Sequence, residues 1–266
     1  MIADFHTHSH FSGDSSEDPV RMIETAISLG MKHFCFTDHQ DFDYNYDESD
    51  FMLDHEKYFK EISELKERYK DKIAISVGVE TGLEPHLSDR LCEFVNKHPY
   101  DFIIGSTHLV NGVDPWYPEY FAENGEQKGF RMYFEYILKS LETCSDFDVY
   151  GHIDYIARYA PNKDKNFSYA KFADVIDEIL KKLVSIGKGI ELNTGGLSNG
   201  MSHTNPHPDI VRRYRELGGE VITVGSDAHT ADKIGYDFDA AREILVNAGF
   251  SYYAVFKDRK PQFIKL

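Results

Sequence analysis

Two histidines one residue apart, His6 and His8, stand near the start of the chain, and Asp227 and His229 repeat that spacing near its other end. On extended backbone, residues i and i+2 leave on the same side, so each pair can offer two ligand atoms to one ion. Imidazole and carboxylate together suit Zn, Mn or Fe, and the absence of a nearby thiolate argues against a closed structural zinc site. Asp38-His39, Glu80, His108, His152 and Asn193-Thr194 each stand at the end of a short apolar run. Histidines without a shared task would be scattered over helices and surface loops, as His33, His55, His86 and His98 are read to be. The set at the run ends reads as a metal site.

The elements that must position these residues follow from the pattern of apolar positions. Runs near 2–6, 33–37, 73–79, 101–106, 148–151, 189–193 and 221–225 predict strands. Amphipathic stretches near 18–29, 54–70, 86–97, 126–144, 168–187, 207–217 and 236–248 predict helices, with Asp18-Pro19 as a starting signal and Gly30, Gly187 and Gly218 as stops. A βαβα succession without a long linker implies a parallel sheet, open or closed into a barrel. No repeat or boundary divides the chain, which reads as one domain over 1–266. In a parallel β/α barrel the loops after the strands gather on the C-terminal face, where sites are built. The least regular segments, 40–53, 109–125 and 194–206, each follow a strand.

Composition narrows the function classes. The chain has 266 residues, with 28% charged and 41% hydrophobic, as expected of a globular protein. No apolar run is long enough to cross a bilayer, and the first residues lack a basic stretch followed by an apolar one, so no secretory signal is expected. Cys35, Cys92 and Cys144 are odd in number and form no CxxC, which reads as reduced thiols of a cytoplasmic protein. A net charge of −16 argues against a polynucleotide partner, although bound cations can reverse the local field and admit a small anion. There is no GxSxG, no P-loop and no Cys–His pairing to supply a covalent nucleophile.

Seven segments carry a resemblance: HTHSHFSGDS at 6–15, FTDH at 36–39, GVE at 78–80, GSTH at 105–108, GHIDYIARY at 151–159, ELNT at 191–194 and GSDAH at 225–229. In this order the chain resembles the polymerase and histidinol phosphatase (PHP) superfamily, and within it the stand-alone L-histidinol-phosphate phosphatases. The resemblance implies an α/β fold, a distorted seven-stranded (β/α)7 barrel, with three divalent transition-metal ions (Zn, Mn or Fe) at the C-terminal face. It implies that His6, His8, Glu80 and Asp227 hold one ion, that Asp14, His39 and His229 hold a second, and that Glu80 bridges to a third held by His108 and His152. By pattern alone Asp14 is an ordinary Gly-Asp-Ser turn residue.

The implied reaction is hydrolysis of a small-molecule phosphate monoester by a metal-activated water. Arg158 is expected to clamp phosphate with its planar fork rather than to form a surface ion pair. Asp38 is a candidate proton carrier or an orienting residue behind the ligands, His10 is placed behind the ligands by parity, and Asp227 and His229 are candidates for protonating the leaving group, with neither assigned because a metal-bound carboxylate is a poor acid. Related phosphatases tend to carry a further arginine after the sixth strand. Here that loop is TGGLSNG, so the amides of Gly195 and Gly196 are expected to serve as an anion nest if the second clamp is replaced. Trp116, Tyr117, Tyr120 and Phe121 are read either as a partial lid over the substrate or as hydrophobic closure of the barrel mouth. The alternatives are a phosphoesterase for another small-molecule or nucleotide phosphate, a non-catalytic metal-binding module such as those attached to polymerases, and an amidohydrolase-like deaminase.

Overall fold

A computed structural model describes residues 1–44, 46 and 51–266; residues 45 and 47–50, within the loop expected over 40–53, lie outside the described residues. The strands β1 (Ala3–Asp4), β2 (His33–Phe36), β3 (His39–Gln40), β4 (Ala74–Gly82), β5 (Phe102–Ser106), β6 (Val149–Tyr150), β7 (Gly189–Asn193) and β8 (Ile222–Gly225) are all parallel. Their order is β1-β2-β4-β5-β6-β7-β8, and β3 resumes β2 in the same register against β4, with Phe36 opposite Val77 and His39 opposite Glu80. The ring is nearly closed by backbone bonds from Phe5 N to Val224 O (3.0 Å), Asp227 N to His6 O (2.8 Å) and His8 N to Ala228 O (2.9 Å). The result is the expected seven-stranded α/β barrel, with β1 and β6 shortened to two residues each.

Helices cover the outside, so strands such as β5 are buried along their full length and read as apolar runs. Asp18 caps α1 (Pro19–Ser28) by accepting from Val20 N at 2.8 Å. In α2 (His55–Tyr69), Tyr58, Ile62, Leu65 and Tyr69 form the buried stripe. The Tyr58 hydroxyl lies within donating distance of Phe36 O (3.0 Å) and Gly78 O (2.7 Å), tying the helix to β2 and β4. Then come α3 (Ser88–Lys97), α4 (Glu119–Asn124), α5 (Glu126–Ser140), α6 (Ala173–Ser185), α7 (Gly195–Ser198), α8 (Pro208–Glu216) and α9 (Phe238–Asn247).

Besides the short β3 and α7, two features were not expected from the sequence. A short helix, α4, precedes α5, and the two are separated by Gly125 at φ +69°. After α9 the chain forms an antiparallel hairpin, β9 (Tyr252–Lys257) and β10 (Lys260–Lys265). Its two-residue turn, Asp258-Arg259, has both residues left-handed, as a hairpin turn of this length requires. The hairpin packs on the starts of the barrel strands: Ser76 Oγ donates to Phe256 O (3.1 Å), Arg259 N to Asp101 O (2.9 Å), and the Arg259 guanidinium pairs with Asp148. The N-terminal end of the barrel is thereby covered. No helix among the described residues is long and apolar enough to cross a membrane.

Candidate metal centre

Glu80, fully buried at the end of β4, is the hub of the opposite face. Its Oε2 lies 3.0 Å from His6 Nε2, 3.5 Å from His8 Nε2 and 3.2 Å from His39 Nδ1. Its Oε1 lies 3.2 Å from His108 Nε2 and 2.9 Å from His152 Nε2, and also accepts from Ser106 Oγ at 2.6 Å. Asp227 Oδ1 faces His6 (3.6 Å), His8 (3.4 Å) and His229 (3.7 Å), while Asp14 Oδ2 faces His229 (3.0 Å) and His39 (3.6 Å). All nine residues named as ligands therefore meet at one mouth. Ligand atoms within 4.8 Å of one another include the sets His6/His8/Glu80, His8/His39/His229, His6/His152/Asp227 and Glu80/His108/His152.

The bonds behind these side chains decide which ring nitrogens face inward. His6 Nδ1 is held by Glu191 Oε1 at 2.6 Å, His108 Nδ1 by Asp41 at 3.0 Å and His229 Nδ1 by the Asp227 carbonyl at 2.9 Å. A carboxylate or carbonyl behind the imidazole fixes the tautomer and leaves Nε2 as the ligand atom. His8 reaches the same state through a hydroxyl. Ser12 Oγ gives its one proton to Asp38 Oδ1 (2.9 Å) and accepts from His39 N (3.0 Å), so toward His8 Nδ1, 3.0 Å away, it can only accept.

The donor set fits divalent cations. His8 Nε2 is buried and has no hydrogen-bond partner, yet it points at two carboxylate oxygens. A bare lone pair facing anionic oxygens is repulsive unless positive charge lies between them. The titration behaviour has the same origin. Burial would raise the Glu80 pKa, but positive charge on His6, His108 and His39 holds it well below the usual carboxylate range. Burial would lower the His6 pKa, and Glu191, Glu80 and Asp227 together push it well up instead. His8 alone of these is driven well down, by burial first and then by His229 and His39.

The remaining sequence-predicted residues divide. The guanidinium of Arg158, at the end of a short 3-10 turn after His152, sits 3.2 Å from Asp227 Oδ2 and over the Tyr155 ring, inside the mouth rather than on the surface. Asp38 does not reach the cluster. It accepts from Ser9 N, Ser9 Oγ and Ser12 Oγ, and so organises the HTHSHFS segment from behind, as the orienting reading expects. Gly195 is not an open anion donor, because its N–H donates to Asn193 Oδ1 at 2.7 Å. Both glycines also supply room. A Cβ on Gly195 would stand 3.0 Å from Arg158 Nη2, and one on Gly196 would stand 2.6 Å from Asn205 Oδ1. His10 leaves the site altogether, lying 3.9 Å from Glu61, since the chain turns after Ser9 and parity no longer applies.

Two residues escaped the sequence reading. Asp41 stands at i+2 from His39, and Glu191 at i+2 before Asn193, so the parity that selected His6 and His8 would have found both. Of the aromatic loop, Tyr120 and Phe121 pack in the core, whereas Trp116 and Tyr117 line a cleft of about 330 Å3 that opens on His39 and His108. Tyr120 and Phe121 thus close the barrel mouth, and Trp116 and Tyr117 stand on the wall of the cleft.

A nearly closed β/α barrel with this histidine and carboxylate cluster on its C-terminal face defines a metal-dependent hydrolase. The family model of the PHP domain matches residues 4–195, and the chain belongs to that family. It is 33% identical over 258 residues, 97% of this chain and 95% of the relative, to a histidinol-phosphatase of Lactococcus lactis subsp. lactis. The crystal structure of histidinol phosphate phosphatase from that organism, complexed with Zn, L-histidinol and phosphate, superposes with a TM-score of 0.91 at 32% identity over 98% of both chains. A Listeria monocytogenes structure at 23% identity, with a TM-score of 0.79 over 90% of this chain and 99% of its own, shares the fold.

Proposed function

We propose that this protein is a divalent-metal-dependent phosphoric monoester hydrolase whose substrate is L-histidinol phosphate, a step of histidine biosynthesis. The observation that carries the reading is the Glu80 hub with Arg158 beside it: ligand atoms for cations and a fixed guanidinium fork within one mouth. Its setting is a chain that aligns end to end with the Lactococcus lactis histidinol-phosphatase.

The proposal takes three ions, divided as the resemblance implies: His6, His8, Glu80 and Asp227 for one, Asp14, His39 and His229 for another, and Glu80, His108 and His152 for the third; the close groupings His6/His8/Glu80 and Glu80/His108/His152, and Asp14 facing both His39 and His229, support it. When bound, such ions lower the pKa of water and offset charge on phosphoryl oxygens. The chain's own residues position and orient. Glu191, Ser12 and Asp41 fix the imidazoles, and Asp227 holds Arg158 toward the phosphate. The three cysteines are unpaired and two are buried, which suits a reducing cytoplasm. A single functional unit over 1–266 is part of this reading.

The test is phosphate release from L-histidinol phosphate against sugar, nucleotide and amino-acid phosphates with metal-replete protein. A lead of several orders of magnitude in kcat/KM for L-histidinol phosphate supports the proposal. Slow, equal turnover of all monoesters would leave a metal phosphatase with another substrate. The loop after β7 favours that second reading in one respect, because it carries no second arginine and the Gly195 amide is already bonded.

A further inference from the structure

Among the described residues three carboxylates line the cleft beside the metal centre, and they are not equivalent. Asp14 faces His39 and His229, and Asp41 faces His108, so both are committed to imidazoles of the cluster. Asp114 is 7% exposed and forms no ion pair among the described residues; its donors are the neutral Tyr44 hydroxyl on Oδ2 (2.7 Å) and Trp116 N on Oδ1 (2.8 Å). Two neutral hydrogen bonds orient a carboxylate without cancelling its charge. Around it the cleft is walled by the rings of Trp116, Tyr117, Tyr155 and Tyr159. Aromatic faces and a carboxylate with no ion-pair partner among the described residues are together a receptor for a cation.

From this geometry we infer that Asp114 selects the leaving group, taking phosphate esters of alcohols that carry a positively charged nitrogen. The inference rests on the phosphatase reading above: with phosphate at the cluster, the alcohol portion extends into the cleft that opens on His39 and His108. An amino alcohol bearing an ammonium and an imidazole is one such leaving group. Asp14 and Asp41 cannot take over this role without releasing the imidazoles they hold.

The test compares wild type and Asp114→Asn on L-histidinol phosphate, ethanolamine phosphate and phenyl phosphate. Asparagine is isosteric and can keep both the Trp116 and Tyr44 bonds, and a thermal melt on each protein checks the fold. The expected result is a rise in KM of about ten- to hundredfold for the cationic esters, the size of a lost hydrogen bond to a charged group, while phenyl phosphate changes less than about threefold on the same scale. Equal loss on all three esters, or no change on any, overturns the inference. If wild type ignores L-histidinol phosphate, the substrate named above falls, and the ratio of ethanolamine phosphate to phenyl phosphate still decides the role of Asp114.

Discussion

Ser12 Oγ lies 3.0 Å from His8 Nδ1, and because its own proton is given to Asp38 it presents only an acceptor to the ring. The His8 tautomer, and with it the lone pair on buried Nε2, is therefore set by a serine four residues away. Replacing Ser12 with Ala frees the ring to turn or to protonate at Nε2. The expected outcome is metal affinity about ten- to hundredfold weaker, the usual effect of losing a residue that orients a ligand. Competition with a chromophoric zinc chelator measures it. Ser9→Ala removes a bond to Asp38 without touching His8, so it should change stability and leave the metal constant near wild type; equal metal loss in both variants would refute the relay.

Glu191 supports the centre from the next strand but one. Oε1 holds His6 Nδ1 at 2.6 Å, and Oε2 accepts from His152 N and Asn193 Nδ2, each at 3.1 Å. In Glu191→Gln, one of the two positions becomes an NH2 group and must face a donor. A buried donor left unsatisfied costs about 1–3 kcal/mol, so a lower Tm is expected together with metal loss on dialysis. Unchanged metal content after dialysis, measured by elemental analysis, would show that His6 does not depend on this acceptor.

Most of the cluster was legible in the sequence because side chains at i and i+2 share a face on extended backbone, and strand ends are easy to find when strands are buried on both sides; Asp14, in a Gly-Asp-Ser turn, was reached only through the family resemblance. The same rule points to Asp41 from His39 and to Glu191 from Asn193. It misplaces His10, because Ser12 N bonds back to Ser9 O and the chain is already turning. Asp38 reads as a neighbour of His39 in sequence, but only the folded loop shows that Ser9 and Ser12 enclose it. The final hairpin was illegible for a local reason: Asp258-Arg259 adopts left-handed backbone without the glycine that advertises such turns.

Gly195 is fixed by space. An added Cβ would meet Asn193 Oδ1 at 2.8 Å, Arg158 Nη2 at 3.0 Å and Asp227 Cβ at 3.0 Å. Gly195→Ala is expected to push the guanidinium off its position and to destabilise by about 1–3 kcal/mol, as overpacking does. Kinetics on a phosphate ester should show KM rising with the protein still folded. If KM is unaffected, Arg158 has freedom that these distances do not allow.

Metal removal should lower thermal stability. Without cations, His8 Nε2 faces the oxygens of Glu80 and Asp227 with nothing between them. A ligand present at a hundredfold its Kd stabilises by about 2.7 kcal/mol, and for a chain of this size each kcal/mol moves Tm by about 2–4 °C. Chelator-treated protein should therefore melt roughly 5–10 °C below the loaded form, and Zn or Mn should restore the difference. A melt indifferent to chelator and metal would mean that the cluster does not hold ions tightly.

Arg158 separates a phosphate clamp from a structural pairing. Its Nη2 holds Asp227 Oδ2 at 3.2 Å, while its buried Nε has no partner. A guanidinium whose only task was to neutralise Asp227 would be replaced well by lysine, which keeps the charge. A clamp would not, since lysine is a point charge and cannot match two phosphate oxygens with a planar fork. Arg158→Lys is therefore expected to keep its metal content and fold while kcat/KM for a phosphate monoester falls about ten- to hundredfold, the size of one charge-assisted hydrogen bond. Elemental analysis and steady-state kinetics on the same preparation separate the readings. Metal and activity lost in parallel would assign Arg158 to holding Asp227, whereas activity lost with the metals retained assigns it to the phosphate.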